Sequence, residues 1–399
     1  MKVGFLGNMN NNHFAMARLL RDHGVSADVL LFPGEASHFQ PAADTYDLEY
    51  MSFCRTVDWA DPYRWGRVRP DEIASDLSAY DVLVGCGFAP AFCDRAGRTL
   101  DIFVPYGRDL ADFTRFQLAS PNRVLALSRA VRAQRRGIRR SHVFQMDYTN
   151  ELYESLWERY KGRSERWWFG PPMVHPGTYT PGHVAASEGR THWSVEFAAL
   201  RDRSDLLLLY HARHVWGGSS SDPNQKGTDN LLRGLAQFRS RNPKTRISLA
   251  TVEYGQDVLK SRRLIRDLGL EASVQWFPQM YRKDLMVGLR HADIVCAEFQ
   301  HSWLSSGVIY EALAMGVPLL GYRNDALYTK QYPELYPILN ARTADEVCAR
   351  LESYVSDRAR YLQAAADGRE WYLQFVVGAA VKHYLEYIES RSLSPASAK

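Results

Sequence analysis

Two series of short apolar runs, separated by stretches of helical spacing, constrain this chain more than any other feature. The first half predicts strands at Val3–Leu6, Val29–Phe32, Asp81–Val84, Ile102–Val104, Val124–Leu127 and His142–Gln145, with a helix over His13–Asp22. The second predicts strands at Leu206–His211, Arg246–Thr251, Ser273–Phe277, Asp293–Ala297 and Val317–Leu320. Short apolar strands alternating with helices imply α/β architecture with parallel sheets, and two series imply two Rossmann-like domains. Between them, 171–203 is dense in Pro and Gly and reads as a linker. The expected domains are 1–180 and 190–367. The last long helix, about 368–390, carries aromatics spaced for packing against another surface and is assigned to the first domain. The tail Ser392–Lys399 is small and polar and is expected to fray.

A chain of 399 residues with 46% hydrophobic residues exceeds one ordinary core and suits two domains. A net charge of +4 falls short of what a dedicated nucleic-acid binder needs, so no nucleic-acid partner is expected. The five cysteines form no CxxC pair, which argues against a zinc site or disulfide framework and for a reducing compartment. Neither a signal peptide nor an apolar run of about 18 residues is visible. A cytoplasmic location is therefore expected.

The segment most suggestive of chemistry is Val295–Tyr322, VCAEFQHSWLSSGVIYEALAMGVPLLGY. A strand ends near Ala297, and the small turn Ser305-Ser306-Gly307 opens a helix bearing Glu311. Unpaired N–H groups at a helix start carry partial positive charge, and Ser and Gly let a phosphate approach. Glu311 on that helix is suited to accepting ribose hydroxyls. The plain alternative is an ordinary capped helix in a βαβ unit. The second segment, Leu206–Leu232, delivers Arg213 at a strand's carboxyl end, then opens a helix with Lys226-Gly227-Thr228-Asp229. Open α/β sheets bind ligands beyond the carboxyl ends of their strands, where two cations can neutralise a departing diphosphate. Read alone, such a basic loop is a solvated face.

Together these motifs resemble the retaining glycosyltransferases of family 4. The resemblance extends through Val274–Pro278 and Tyr310-Glu311-Ala312-Leu313-Ala314-Met315-Gly316-Val317-Pro318. It implies a GT-B fold, with two Rossmann-like domains facing each other across a cleft and the C-terminal helix crossing back to the N-terminal domain. It also implies a nucleotide-diphosphate sugar as co-substrate, with no metal or other cofactor. Arg213 and Lys226 would contact the diphosphate, and Glu311 the ribose. Ser305, Ser306, Gly307, Gly227, Gln279 and Met280 fall on the donor side, together with Gly7 and Asn8 at the first strand's turn. One position departs from the family. The first Glu of its Glu-x7-Glu motif is Trp303 here, with Glu298 nearby but out of register.

The first half resembles the family more weakly. Val104–Leu110 is similar to its His-Gly-x-Asp loop, with Tyr106 in place of the His. That makes Asp109 a catalytic candidate and puts Tyr106, Arg108 and His13 on the acceptor side, although Asp109 also reads as a helix cap. No GxGxxG follows the first strand, so a dinucleotide is not indicated. The run Arg129–Arg140, RAVRAQRRGIRR, suits an anionic membrane surface or acceptor and reads more plainly as a solvated helix face interrupted at Gly137. The acceptor is open among carbohydrate, glycolipid and small molecule. Two other functions stay open: a nucleotide-sugar epimerase or hydrolase, and a catalytically silent nucleotide-sugar-binding subunit.

Overall fold

The computed structural model describes the chain except residues 116–120, 148–150, 220–221, 223 and 394–399, and the side chains of 121–127 and 151. Most of the expected frayed tail, 394–399, therefore lies outside the described residues. The chain divides into two compact units, Met1–His175 with Phe375–Lys399, and Pro176–Gln374.

The first unit is built on a parallel sheet of seven strands: β1 (Lys2–Leu6), β2 (Ser26–Leu31), β3 (Cys54–Thr56), β4 (Val82–Gly85), β5 (Ile102–Phe103), β6 (Val143–Gln145) and β7 (Glu165–Trp167). Its spatial order is β3-β2-β1-β4-β5-β6-β7. The second unit repeats the scheme with β8 (Leu206–Tyr210), β9 (Ile247–Val252), β10 (Val274–Phe277), β11 (Ile294–Cys296), β12 (Leu319–Gly321) and β13 (Leu339–Asn340), in the order β10-β9-β8-β11-β12-β13. Helices cover a parallel sheet on both faces, so its strands are apolar throughout. All five residues of β8 and all six of β9 are buried. In each sheet the strand order reverses once, between β1 and β4 and between β8 and β11, and a crevice opens at such a reversal.

Three expectations need correction. Val124–Leu127 is not a strand but part of the helix Pro121–Arg140. Its continuation buries Ala130, Val131, Ala133, Gln134, Gly137 and Ile138, a spacing that only a helix brings to one face. Gly137 does not interrupt this helix. It lets the helix meet the backbone of Pro90, whose carbonyl oxygen would lie 2.0 Å from an added Cβ. Second, 171–203 is not all linker: helices span Pro181–Ser187 and Ser194–Asp202. Pro181 begins the first of them, where a missing N–H costs nothing, and Thr180 Oγ1 caps it by accepting from His183 N at 3.1 Å. Third, the final helix is longer and irregular. It starts at Arg358, passes through a π-helical stretch at Tyr372–Gly378, and continues from Ala379 to Leu393. Its last part packs in the first unit, where Tyr384 Oη donates to Gln145 Oε1 (2.8 Å) and Tyr387 Oη to Asp101 Oδ1 (2.9 Å).

Candidate functional site

The second unit gathers its candidate residues at the β8/β11 reversal. His211 and Arg213 follow β8, while Glu298, Trp303 and Ser305–Gly307 follow β11. Arg213 is exposed. Two residues on, the Val215 carbonyl accepts from Lys226 N at 2.7 Å, and the Lys226 carbonyl accepts from Phe299 N at 2.8 Å. These bonds tie the two sequence segments into one structure. Gly227 is required at the join. Its φ is +66°, and an added Cβ would come within 2.9 Å of Gln300 N. The Lys226 ammonium forms a buried ion pair with Glu298 and lies 5.8 Å from the Trp303 ring centroid. Thus Trp303 packs beside Lys226, and the neighbouring carboxylate, Glu298, comes from the end of β11.

The helix Gly307–Met315 begins here, with Ser306 Oγ accepting from Ile309 N at 3.3 Å. Glu311, on its inner side, is 5% exposed. His211 Nε2 donates to its Oε2 at 2.6 Å, and Arg282 Nε donates to its Oε1 at 2.7 Å. Burial pushes this carboxyl up, but the Arg282 guanidinium and the His211 bond outweigh it and hold the group below the ordinary carboxylate range. Glu311 is therefore already engaged on both oxygens. A carboxylate has about four acceptor sites, so capacity remains. Among the described residues, the buried atoms without a hydrogen-bond partner include His211 Nδ1 and Glu298 Oε2 in this unit's loops. Buried polar atoms are normally paired, and an unpaired one calls for an explanation such as a ligand that completes the bonding. Arg282 escaped the sequence reading because a cation opening a helix resembles any solvated residue. Gln279 is exposed and Met280 buried at the end of β10.

In the first unit, the turn after β1 is locked from within. Gly7 has φ +76°, and Asn8 is fully buried. The Asn8 side chain donates to Asn11 Oδ1 (2.9 Å) and accepts from Phe14 N (3.0 Å), so it holds the turn. His13 is also buried, with Nδ1 2.7 Å from the Gly7 carbonyl, and burial lowers its pKa to about 4. Asp109 is fully buried and accepts from the amides of Gly87, Tyr106 and Leu110, each at 3.0 Å. Burial raises its pKa to about 7 despite these donors. Its carboxyl joins two loops and presents no free face. Tyr106 and Arg108 do line open space, a cavity of about 510 Å³ that also includes Glu35. Arg108 is paired with Asp112 at 3.1 Å.

Within the run Arg129–Arg140, Arg136 and Arg140 pair with Asp94, and Arg135 Nε donates to the Thr114 carbonyl at 2.7 Å. Among the described residues, no cluster of three or more His, Cys, Asp or Glu could hold a metal ion, and no helix is long and apolar enough to cross a membrane.

Comparison with solved structures identifies this architecture. The Anabaena protein HepE in complex with UDP superposes with a TM-score of 0.62 at 16% identity, covering 98% of this chain and 100% of that one. The chain has a GT-B fold. A glycosyltransferase from Rickettsia africae matches at TM-score 0.60 and 13% identity, covering 98% and 99% of the two chains. Sucrose-phosphate synthase from Thermosynechococcus elongatus matches at 0.59 and 11%, covering 99% and 100%. Residues 219–368 match the family model described as glycosyl transferases group 1, a span that holds Lys226, Glu298, Trp303, Ser305–Gly307 and Glu311 of the GT-B second unit. No curated protein matches the chain by sequence.

Proposed function

We propose that this protein is a glycosyltransferase that moves a sugar from a nucleotide-diphosphate donor to an acceptor hydroxyl with retention of configuration. The observation that carries the reading is the buried Lys226–Glu298 pair at the β8/β11 reversal, joined by backbone bonds to the Arg213 loop and adjoined by orphaned buried atoms. Lys226, Arg213 and the amides at the start of the Gly307–Met315 helix hold the diphosphate, and Glu311 with His211 receives the ribose. A uridine nucleotide is the first candidate, because the Anabaena HepE structures contain UDP and UDP-glucose.

In the transfer, the bond from the sugar's anomeric carbon to the phosphate oxygen breaks. The electron pair leaves with the nucleoside diphosphate, the acceptor oxygen bonds to the anomeric carbon, and its proton passes to the leaving phosphate. Negative charge grows on the diphosphate along this path, so cations there favour the transition state over the ground state. The group needs no metal in this scheme, and the acceptor belongs to the first unit.

A silent nucleotide-sugar binder is the second reading, favoured by Trp303 standing where the family carries Glu and by Lys226 being neutralised already. Incubation with UDP-, GDP-, ADP- and CMP-sugars, with NMR of the released sugar or product, separates the two. We expect turnover with one nucleotide class, an anomer matching the donor, and a sharp fall in Lys226→Ala. Donor binding without turnover on any acceptor or water would leave the silent reading, and an inverted anomer would remove retention.

A further inference from the structure

The first unit holds a cavity at its own sheet reversal. Its walls come from the loops after β1, β2, β3, β4 and β5, among them Met9 and Cys86-Gly87-Phe88. At about 510 Å³ it has the size of a small-molecule site. The lining includes Phe32, Phe39, Tyr63, Phe88, Tyr106 and Phe113. Phe88 and Phe113 stack at 4.4 Å with their planes 9° apart, and Tyr106 meets Phe113 edge-on at 6.3 Å. These rings give the cavity an aromatic wall with the Phe88–Phe113 stack at its centre.

The lining also carries five charged residues, Glu35, Asp61, Arg108, Asp112 and Arg115. Arg108 is paired with Asp112, and Asp61 Oδ1 accepts from Tyr63 N at 2.8 Å. Of the two arginines, only Arg115 is without an ion pair among the described residues. A phosphorylated lipid needs several free cations, and a sugar needs a hydrogen-bond partner for each hydroxyl it buries. This lining offers a single cation outside an ion pair, and its largest side chains are aromatic, which favours a flat apolar body with few polar groups over either. It does include the Glu35 carboxylate, whose Oε2 accepts from Phe32 N at 3.3 Å. Glu35 Oε1 accepts from Asn8 N at 2.7 Å and would lie 3.2 Å from a Cβ on Gly7, so it sits under the β1 turn. Burial raises its pKa to about 7.

We propose that this cavity is the acceptor subsite and that it takes an uncharged aromatic ring system bearing a hydroxyl, the ring against the Phe88–Phe113 wall and the hydroxyl at Glu35. The word acceptor rests on the sugar-transfer reading; the ligand class rests on the cavity alone.

The test uses the full chain with 4-methylumbelliferone and 2-naphthol as probes, titrated without donor, against lactose and farnesyl phosphate as sugar and lipid-phosphate controls. Ala36→Trp plugs the cavity. Ala36 is an exposed lining residue with φ −58° and ψ 144°, a backbone that Trp adopts freely. We expect both phenols to bind, the controls not to, and Ala36→Trp to weaken the phenols about tenfold or more, with thermal unfolding and UDP affinity unchanged. Failure of both phenols to bind, phenol binding that ignores Ala36→Trp, or tighter binding of either control overturns the assignment. UDP binding without phenol binding sinks this inference and leaves sugar transfer standing. Plug-sensitive phenol binding without UDP binding does the reverse.

Discussion

At the scale of single residues, the candidate site is a set of buried charges that neutralise one another. Lys226 and Glu298 are each nine-tenths buried. Removing one member of a buried pair leaves the other uncompensated, at a cost of about 3 kcal/mol. Lys226→Ala should therefore lower stability to urea by that order, and adding Glu298→Gln should recover much of the loss. A double variant no more stable than the single would mean that the pair is not buried as described. Asp109 gives a prediction in pH. Its folded pKa of about 7 exceeds the ordinary 3.8, so the stability it contributes is present below about pH 4 and lost as pH rises through 7. Thermal unfolding of the wild type relative to Asp109→Asn should therefore worsen from pH 5 to pH 8. A difference that stays flat would deny the shift. The residue types of the donor site were legible in the sequence, but their partners were not. Arg282 and His211 reach Glu311 across many residues of chain, and no local spacing reveals such a meeting.

At the scale of elements, close approach of backbones decides more than propensity. The helices Ala89–Arg95 and Pro121–Arg140 meet where Gly137 faces the Pro90 carbonyl. An added methyl there has nowhere to go, since its neighbour is backbone. Gly137→Ala should cost about 3 kcal/mol, read as a lowered denaturation midpoint, even though Ala is the better helix former. A neutral or stabilising outcome would contradict the packing. The same helix shows why the sequence misled over 124–127. A short apolar run satisfies both strand and helix, and only the burial of residues 130–138 at helical spacing decides between them. Long buried strands such as β1, β8 and β9 were readable because both of their faces are covered. β3, β7 and β13 escaped notice because two or three residues at a sheet edge carry too little pattern.

At the scale of the whole molecule, two sheets of the same winding present two reversals, and each reversal carries a candidate site of different character. That of the second unit is charged and polar. That of the first is lined largely by aromatic rings, with one ion pair, Arg108–Asp112, among its charged residues. This division of labour suits a protein that must hold an anionic donor and a less polar acceptor. The repetition of the α/β pattern was evident from the chain alone, whereas the contrast in lining emerges only once loops distant in sequence meet. The central claim is that Lys226 and its surroundings bind a diphosphate. It is tested most directly by calorimetric titration of the intact chain with UDP and with uridine, in the wild type and in Lys226→Ala/Glu298→Gln, a variant chosen so that no buried charge is left unpaired. The account predicts that the wild type binds UDP at least about tenfold more tightly than uridine, a preference of roughly 1.4 kcal/mol or more, and that the double variant loses most of that preference. Equal affinity for UDP and uridine in the wild type, or an undiminished preference in the variant, would contradict it.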